Sequence, residues 1–170
     1  MSMETGYWTA LWLFVPALPL ALWVAWSDLC FMRISNRVVL GMGCVFLIFG
    51  LIALPFDVWL WRLLQIVIVL TVGFVANNLG LIGGGDAKYA AAIAPFFAPG
   101  DLREVILIFA AMLLAAYVTH RLFQWLPPVR RMTPDWKSWQ SGKDFPMGLA
   151  LSGTLLGYLA LPILAPWLSV

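Results

Sequence analysis

The sequence contains few charged residues. Lysine, arginine, aspartate and glutamate make up 11% of its 170 residues, whereas a soluble globular domain carries about 25%. Hydrophobic residues make up 63%, and the mean hydropathy is +0.93. This composition excludes an ordinary soluble domain, and a net charge of +2 does not indicate a nucleic-acid-binding protein. The length allows one compact bundle and no separate soluble domain of ordinary size.

Cysteine and histidine are also scarce. The two cysteines, Cys30 and Cys44, form no CxxC pair, and the one histidine, His120, cannot build a site of several imidazoles. We therefore predict free thiols, no metal site and no cofactor, with a disulfide between the cysteines as the alternative. His120 is predicted to be a polar residue near a helix end.

The N-terminal segment lacks the features of a cleavable signal peptide. Glu4, and no lysine or arginine, precedes a long apolar run, and that run ends in Ala-Trp-Ser-Asp rather than in a small-x-small cleavage site. We expect this run to remain as the first membrane helix.

Six hydrophobic runs predict an all-α bundle of six transmembrane helices in a single domain, residues 1–170. A helix that crosses the hydrocarbon core needs about 20 apolar residues. The fourth run is shorter, so a re-entrant or partly inserted helix is its alternative. The runs cover residues 8–27, 38–54, 58–76, 87–98, 105–122 and 146–168, and loops on one side of the membrane cover residues 28–37, 77–86 and 123–145.

The basic residues indicate the orientation of this bundle. In a six-span arrangement, eight of the ten lie on the side of those three loops. The positive-inside rule therefore places these loops in the cytoplasm and both termini outside. If the fourth run did not cross, five of the basic residues would move outside, so six spans fit better. The eight are Arg33, Arg37, Lys88, Arg121, Arg130, Arg131, Lys137 and Lys143.

Two aspartates, Asp28 and Asp86, are predicted at helix ends on the cytoplasmic side. An ionisable residue at the membrane boundary is costly and indicates function. Two carboxylates held close together cannot both ionise and can share a proton, which is the chemistry of aspartyl proteolysis. The helix N-terminus and Lys88 favour ionised Asp86, whereas burial opposes ionisation, and the sequence does not decide the balance.

A glycine run precedes Asp86. Three consecutive glycines permit positive φ and a close approach by another backbone, so an extended substrate could lie beside them. The structural alternatives are that Asp86 is only an N-cap and that Asp28 only pairs with Arg33 or Arg37. Each aspartate alone fits these alternatives well, and the case for function rests on the two together.

At these residues the sequence resembles the type IV prepilin peptidases. Asp28 is followed six residues later by Ile34-Ser35-Asn36, where the family has Ile-Pro-Asn, and residues 83–88 match its Gly-x-Gly-Asp-x-Lys motif. Residues 145–150, Phe-Pro-Met-Gly-Leu-Ala, resemble the start of the family's final helix. The resemblance covers about residues 20–160.

The resemblance implies a catalytic role for Asp28 and Asp86, with Gly83, Gly85, Asn36 and Lys88 as supporting residues of the site and the substrate strip. It implies an aspartic endopeptidase of the bacterial inner membrane that removes the basic leader of a prepilin at the cytoplasmic face. Ser35 replaces the usual proline, which loosens the turn without removing a chemical group. Met147 stands where an aromatic residue is common.

The resemblance also implies peptidase activity without the second activity of the longer family members. Bifunctional members methylate the new N-terminus with a zinc-binding region that contains paired CxxC motifs, which this sequence lacks. It therefore resembles the short, peptidase-only members that serve Tad/Flp pili, and we predict no methyltransferase activity. Preflagellin peptidases share both motifs. A proton-linked transporter and a structural subunit of a secretion machine are the alternatives from other classes.

Overall fold

The computed structural model describes residues 3–140 and 145–168, which form helices and connecting segments without a β-strand. The predicted all-α class is therefore confirmed for this part of the chain. Lys143 and its neighbours at 141–144, which belong to the predicted loop 123–145, lie outside the described residues. The α-helices are α1 (Tyr7–Phe31), α2 (Asn36–Val45), α3 (Leu51–Ala53), α4 (Phe56–Asn78), α5 (Gly84–Ile93), α6 (Leu102–Trp125), α7 (Pro127–Met132) and α8 (Met147–Leu168).

Five helical segments in the described residues are long and apolar enough to cross a membrane. They are Tyr7–Phe31, Asn36–Ala53, Phe56–Asn78, Pro99–Trp125 and Met147–Trp167. The second joins α2 and α3 through a π-helical turn, Phe46–Gly50. This architecture confirms a multi-pass membrane protein.

The fourth hydrophobic run forms a short helix. α5 has 10 residues and is followed by a 3₁₀ turn, Ala94–Phe96, so it is not among the five segments, and helix length does not confirm the sixth span. The segment nevertheless runs from one end of α1 to the other. Asp86 lies near Asp28 in the last turns of α1, whereas Asp101 accepts hydrogen bonds from the backbone nitrogens of Glu4 and Thr5, just before α1.

α5 tolerates its short apolar length because other helices surround it. It packs against α4, α2 and α8. Its small alanines allow this close packing, and the hydroxyl of Tyr89 is hydrogen-bonded to Ser152 of α8 at 3.0 Å. α5 therefore packs mainly against protein rather than against lipid. Its buried side chains are Ala87, Tyr89, Ala91, Ala92 and Ile93.

α1 and α8 form the centre of the bundle. On α1, the buried residues Leu13, Ala17, Ala21 and Val24 recur every three or four positions and so lie on one face. This face packs along α8, whose contribution to the core includes Leu155. The pairing places the first turn of α8 beside the last turns of α1, where Asp28 lies.

A polar cluster joins the helices at the end of the bundle opposite Asp28. The hydroxyl of Tyr158 donates to Oδ2 of Asp101 at 2.7 Å and accepts from the backbone nitrogen of Ala98 at 3.0 Å. It is also hydrogen-bonded to the hydroxyl of Thr5 at 2.5 Å. One buried hydroxyl thus connects α8 to the segments that precede α1 and α6.

We expect Tyr158→Phe to destabilise the protein. Removing the hydroxyl leaves the backbone nitrogen of Ala98 without its partner, which costs about 1–3 kcal/mol. The measurement is the free energy of unfolding in detergent. Tyr7→Phe is the control, because the hydroxyl of Tyr7 is exposed and has no hydrogen bond among the described residues. Equal effects of the two substitutions would show that the cluster contributes nothing.

Candidate active site

Asp28 lies in the last turns of α1 and is buried. The backbone N–H of Gly148 donates a hydrogen bond to its Oδ2 at 2.7 Å. Gly148 is the second residue of α8, so this N–H is one of the donors that a helix N-terminus leaves without an intrahelical partner. Asp28 makes no ion pair with Arg33 or Arg37 among the described residues, which rules out the ion-pair alternative there.

Asp86 lies in the first turn of α5 and is half-buried. The N-cap of α5 is Gly83, so Asp86 is not the N-cap. Asp86 precedes the predicted fourth span, residues 87–98, and so lies at the membrane boundary. Burial, and secondly the negative charge of Asp28, raise the pKa of Asp86 to about 6. Burial therefore favours the neutral form of Asp86, and the two carboxylates are close enough to influence each other.

Glycine borders both carboxylates. A Cβ added at Gly83 would lie 2.7 Å from Oδ2 of Asp86, and one added at Gly148 would lie 2.9 Å from Oδ2 of Asp28. Both separations are shorter than real Cβ contacts. The absence of a side chain at Gly83 and Gly148 therefore leaves the space that the two carboxylates occupy.

The glycine run does not adopt the positive φ that glycine permits. Gly83 has φ −68° and Gly84 already begins α5. Among the described glycines, positive φ occurs at Gly80, with φ 71°, in the turn before the run. The glycines supply space rather than an unusual backbone conformation. A Cβ at Gly85 would lie 3.6 Å from that of Ile34, so the run packs against the segment after α1.

Asn36 and Lys88 join two helices at the site. The Nζ of Lys88 donates to Oδ1 of Asn36 at 3.3 Å, and both side chains are exposed. This contact connects the N-termini of α2 and α5, beside the packing of Ile34 on the glycine run. Both residues are thus brought to the same end of the bundle as the aspartates, with Lys88 bonded to Asn36 rather than to Asp86.

Ser35 is the N-cap of α2. Its φ of −73° lies within the range that proline adopts. Ser35 therefore adopts the φ that the family's usual proline would have, although serine lacks the ring that makes this φ rigid.

Gly148 is a site residue that sequence reasoning missed. Gly148 lies within the motif at residues 145–150, but the family resemblance assigned it no role. The available signal was a glycine in the first turn of a helix, where free N–H groups occur. Near the start of α8, the ring of His120 is stacked on Trp139 at 5.0 Å and lies edge-on to Phe145 at 5.8 Å.

His120 lies near the C-terminal end of α6, as predicted. It is buried, and neither ring nitrogen has a hydrogen-bond partner in the described part of the chain, so it acts as a packing residue. The two cysteines are free thiols, as predicted, with Cys30 buried and Cys44 exposed.

The fold and the site define a multi-pass α-helical membrane protein in which two interacting carboxylates come from the ends of different helices. The model of the type IV leader peptidase family matches residues 13–120, which include both aspartates. This match covers more than half of the chain, so the chain belongs to the type IV leader peptidase family and is a protease. No curated protein and no solved structure matches the chain. The family match ends before α8.

Proposed function

We propose that the protein is an aspartic endopeptidase that removes the basic leader of a prepilin at the cytoplasmic face of the bacterial inner membrane. The observation that carries this proposal is the meeting of Asp28 and Asp86, from the ends of α1 and α5. The charge of Asp28 affects the ionisation of Asp86. Two interacting carboxylates in a partly buried site can supply both the base and the acid for hydrolysis of a peptide bond.

In the proposed reaction, the pair shares one proton, which we assign to Asp86 because the N–H of Gly148 donates to Asp28 and so favours the ionised form of Asp28. Ionised Asp28 accepts a proton from water as the water oxygen attacks the scissile carbonyl carbon, and Asp86 donates its proton to the carbonyl oxygen. The resulting diol collapses when Asp28 returns a proton to the leaving nitrogen and the C–N bond breaks. A diol hydroxyl then returns its proton to Asp86, which leaves an amine and a carboxylic acid.

The proposed topology has six crossings, with both termini outside. The support for the sixth crossing is the path of the chain between Asp86 and Asp101. Asp86 lies near Asp28 at the C-terminal end of α1, whereas Asp101 contacts Glu4 just before the N-terminal end of α1. A re-entrant segment would instead return to the end at which it began. The exposed Arg33, Arg37 and Lys88 lie at the aspartate end. The positive-inside rule makes this end cytoplasmic.

The substrate proposed is a membrane-inserted prepilin of the Tad/Flp type. Its basic leader is attracted by the ionised carboxylate of the pair, and its hydrophobic helix stays in the membrane after cleavage. We propose peptidase activity alone, without methyltransferase activity, because the chain has no paired CxxC motifs.

Cleavage of a co-expressed prepilin tests this function. We expect the wild-type protein to convert the precursor to the shorter mature form, as measured by gel mobility and by the N-terminal sequence of the product. The proposed topology is tested with a reporter that is active only outside the cytoplasm. When this reporter is fused to the C-terminus, we expect it to be active. If the precursor stays intact while the protein is correctly inserted, the proposed function is wrong.

The raised pKa of Asp86 predicts a pH-dependent rate. As the pH rises through about 6, Asp86 loses its proton and can no longer donate to the carbonyl oxygen, so kcat should fall. The same shift affects stability. Because folding favours the neutral form of Asp86, its contribution to the free energy of unfolding is present at low pH and is lost as the pH rises through about 6.

The measurement for this prediction is the pH–rate profile of the purified protein in detergent. Asp57→Asn is the control and should keep the wild-type profile, because Asp57 is exposed in the first turn of α4, which begins at the opposite end of the bundle. A rate that stays constant between about pH 5 and about pH 8 would contradict the assignment of the acid.

A further inference from the structure

An apolar cavity of about 480 Å³ lies between α4 and α6, with α5 as its floor. α4 packs on α5, and α6 packs on α8, which leaves the gap between α4 and α6 open. Ile68 of α4 and Leu102 of α6 line the cavity and are more than half exposed. The cavity is thus a groove that opens on the lipid-facing surface of the bundle.

The floor of the groove continues the face of α5 that carries Asp86. Ala90, Ile93 and Ala94 line the cavity, at positions four, seven and eight residues after Asp86. In an α-helix this spacing places residues on one face, and it extends the groove about 12 Å from the carboxylate. Two of the three floor residues are alanines, which let another helix approach closely.

The position of the groove indicates the kind of occupant. Its lining is mostly apolar, and its floor runs along the face of α5 that leads to Asp86. A hydrophobic helix that lies in this groove can bring the chain at its cytoplasmic end beside the carboxylate, because the groove and Asp86 share one face of α5.

We propose that this groove binds the hydrophobic transmembrane helix of the substrate and so brings the peptide bond at its cytoplasmic end to Asp86. Two turns of a helix about 10 Å in diameter occupy on the order of 800 Å³. The groove therefore receives the side chains of one helix face, while the opposite face stays in lipid. This inference rests on the proposed function, since it assumes that the substrate is a membrane-anchored prepilin.

Site-specific photocrosslinking tests the occupant. A benzophenone amino acid at Val69, which lines the groove, should give an adduct with a co-expressed prepilin. The same probe at Val67 should not, because Val67 does not line the groove and, two residues away on α4, faces nearly opposite. Prepilin adducts at both positions, at neither, or at Val67 alone would overturn the proposal. Adducts only with lipid at Val69 would assign the groove to an acyl chain and would also overturn it.

A second pair of variants tests the groove through activity. We expect Val69→Trp to fill the groove and lower kcat/KM for prepilin by about tenfold or more, which corresponds to about 1.4 kcal/mol of lost binding. Val67→Trp should keep the wild-type value, and thermal unfolding checks that both variants are folded. If the wild-type protein cleaves prepilin and Val69→Trp cleaves it equally well, the groove proposal is wrong and the proposed function stands. If the wild-type protein cleaves nothing, the proposed function itself fails.

Discussion

Asp28→Asn and Asp86→Asn are each expected to reduce prepilin cleavage by a factor of about 10²–10⁴, the contribution typical of a positioned acid or base. Asparagine has nearly the shape of aspartate but can neither take a proton from water nor donate an acidic proton to a carbonyl. At position 28 the amide oxygen can still accept the hydrogen bond from Gly148. The loss of activity should therefore occur in a protein that remains folded and inserted.

The measurement is the single-turnover rate of cleavage by purified variants. Asp57→Asn is the matched control, because it makes the same chemical change at an exposed position at the opposite end of the bundle. The double variant should be no slower than the slower single variant, since the pair acts as a unit. Normal processing by either single variant would exclude a mechanism that uses both carboxylates.

Gly148→Ala is expected to cause the second-largest loss. The new Cβ would lie 2.9 Å from Oδ2 of Asp28 and 3.1 Å from Cγ1 of Val24. Either the carboxylate or the N-terminus of α8 must therefore move. A displacement of about 1 Å in a catalytic group can reduce the rate by about 10²-fold. We expect a decrease of that order in kcat, with a smaller loss of stability from overpacking, about 1–3 kcal/mol.

Gly153→Ala is the matched control for this prediction. It adds the same methyl group to the same helix, but there the new Cβ would meet Sδ of Met112 at 3.2 Å, and that side chain can adjust. We expect Gly153→Ala to keep nearly wild-type kcat. If both variants lose activity in proportion to their loss of stability, Gly148 acts only through packing and does not position Asp28.

Much of the architecture could be predicted from the sequence because it depends on local properties. An apolar run long enough to cross the membrane must be helical, since lipid offers no partner for backbone polar groups. Loop charges then indicate an orientation without any knowledge of packing. The same reasoning selected Asp28 and Asp86, because ionisable residues at span ends are costly and the two motifs lie at a distinctive spacing.

The sequence does not decide the arrangement of the short segment at residues 87–98. Its hydropathy and length allowed both a crossing and a re-entrant helix. Only the packing of neighbouring helices around α5, and the contacts of Asp101 with the backbone of Glu4 and Thr5, show that the chain reaches the other end of the bundle. A helix solvated by protein does not need the length or hydrophobicity that lipid demands.

The sequence by itself determined the class of protein, the two aspartates and the motif that carries the family resemblance. The tertiary structure alone decided which groups surround those aspartates. Gly148 donates to a carboxylate 120 residues away, and the groove beside α5 is formed by side chains of four helices, α4, α5, α6 and α8. Hydropathy and motif spacing describe neighbours along the chain. The environment of a carboxylate depends on which helices pack together, and that is set by contacts between residues distant in the sequence.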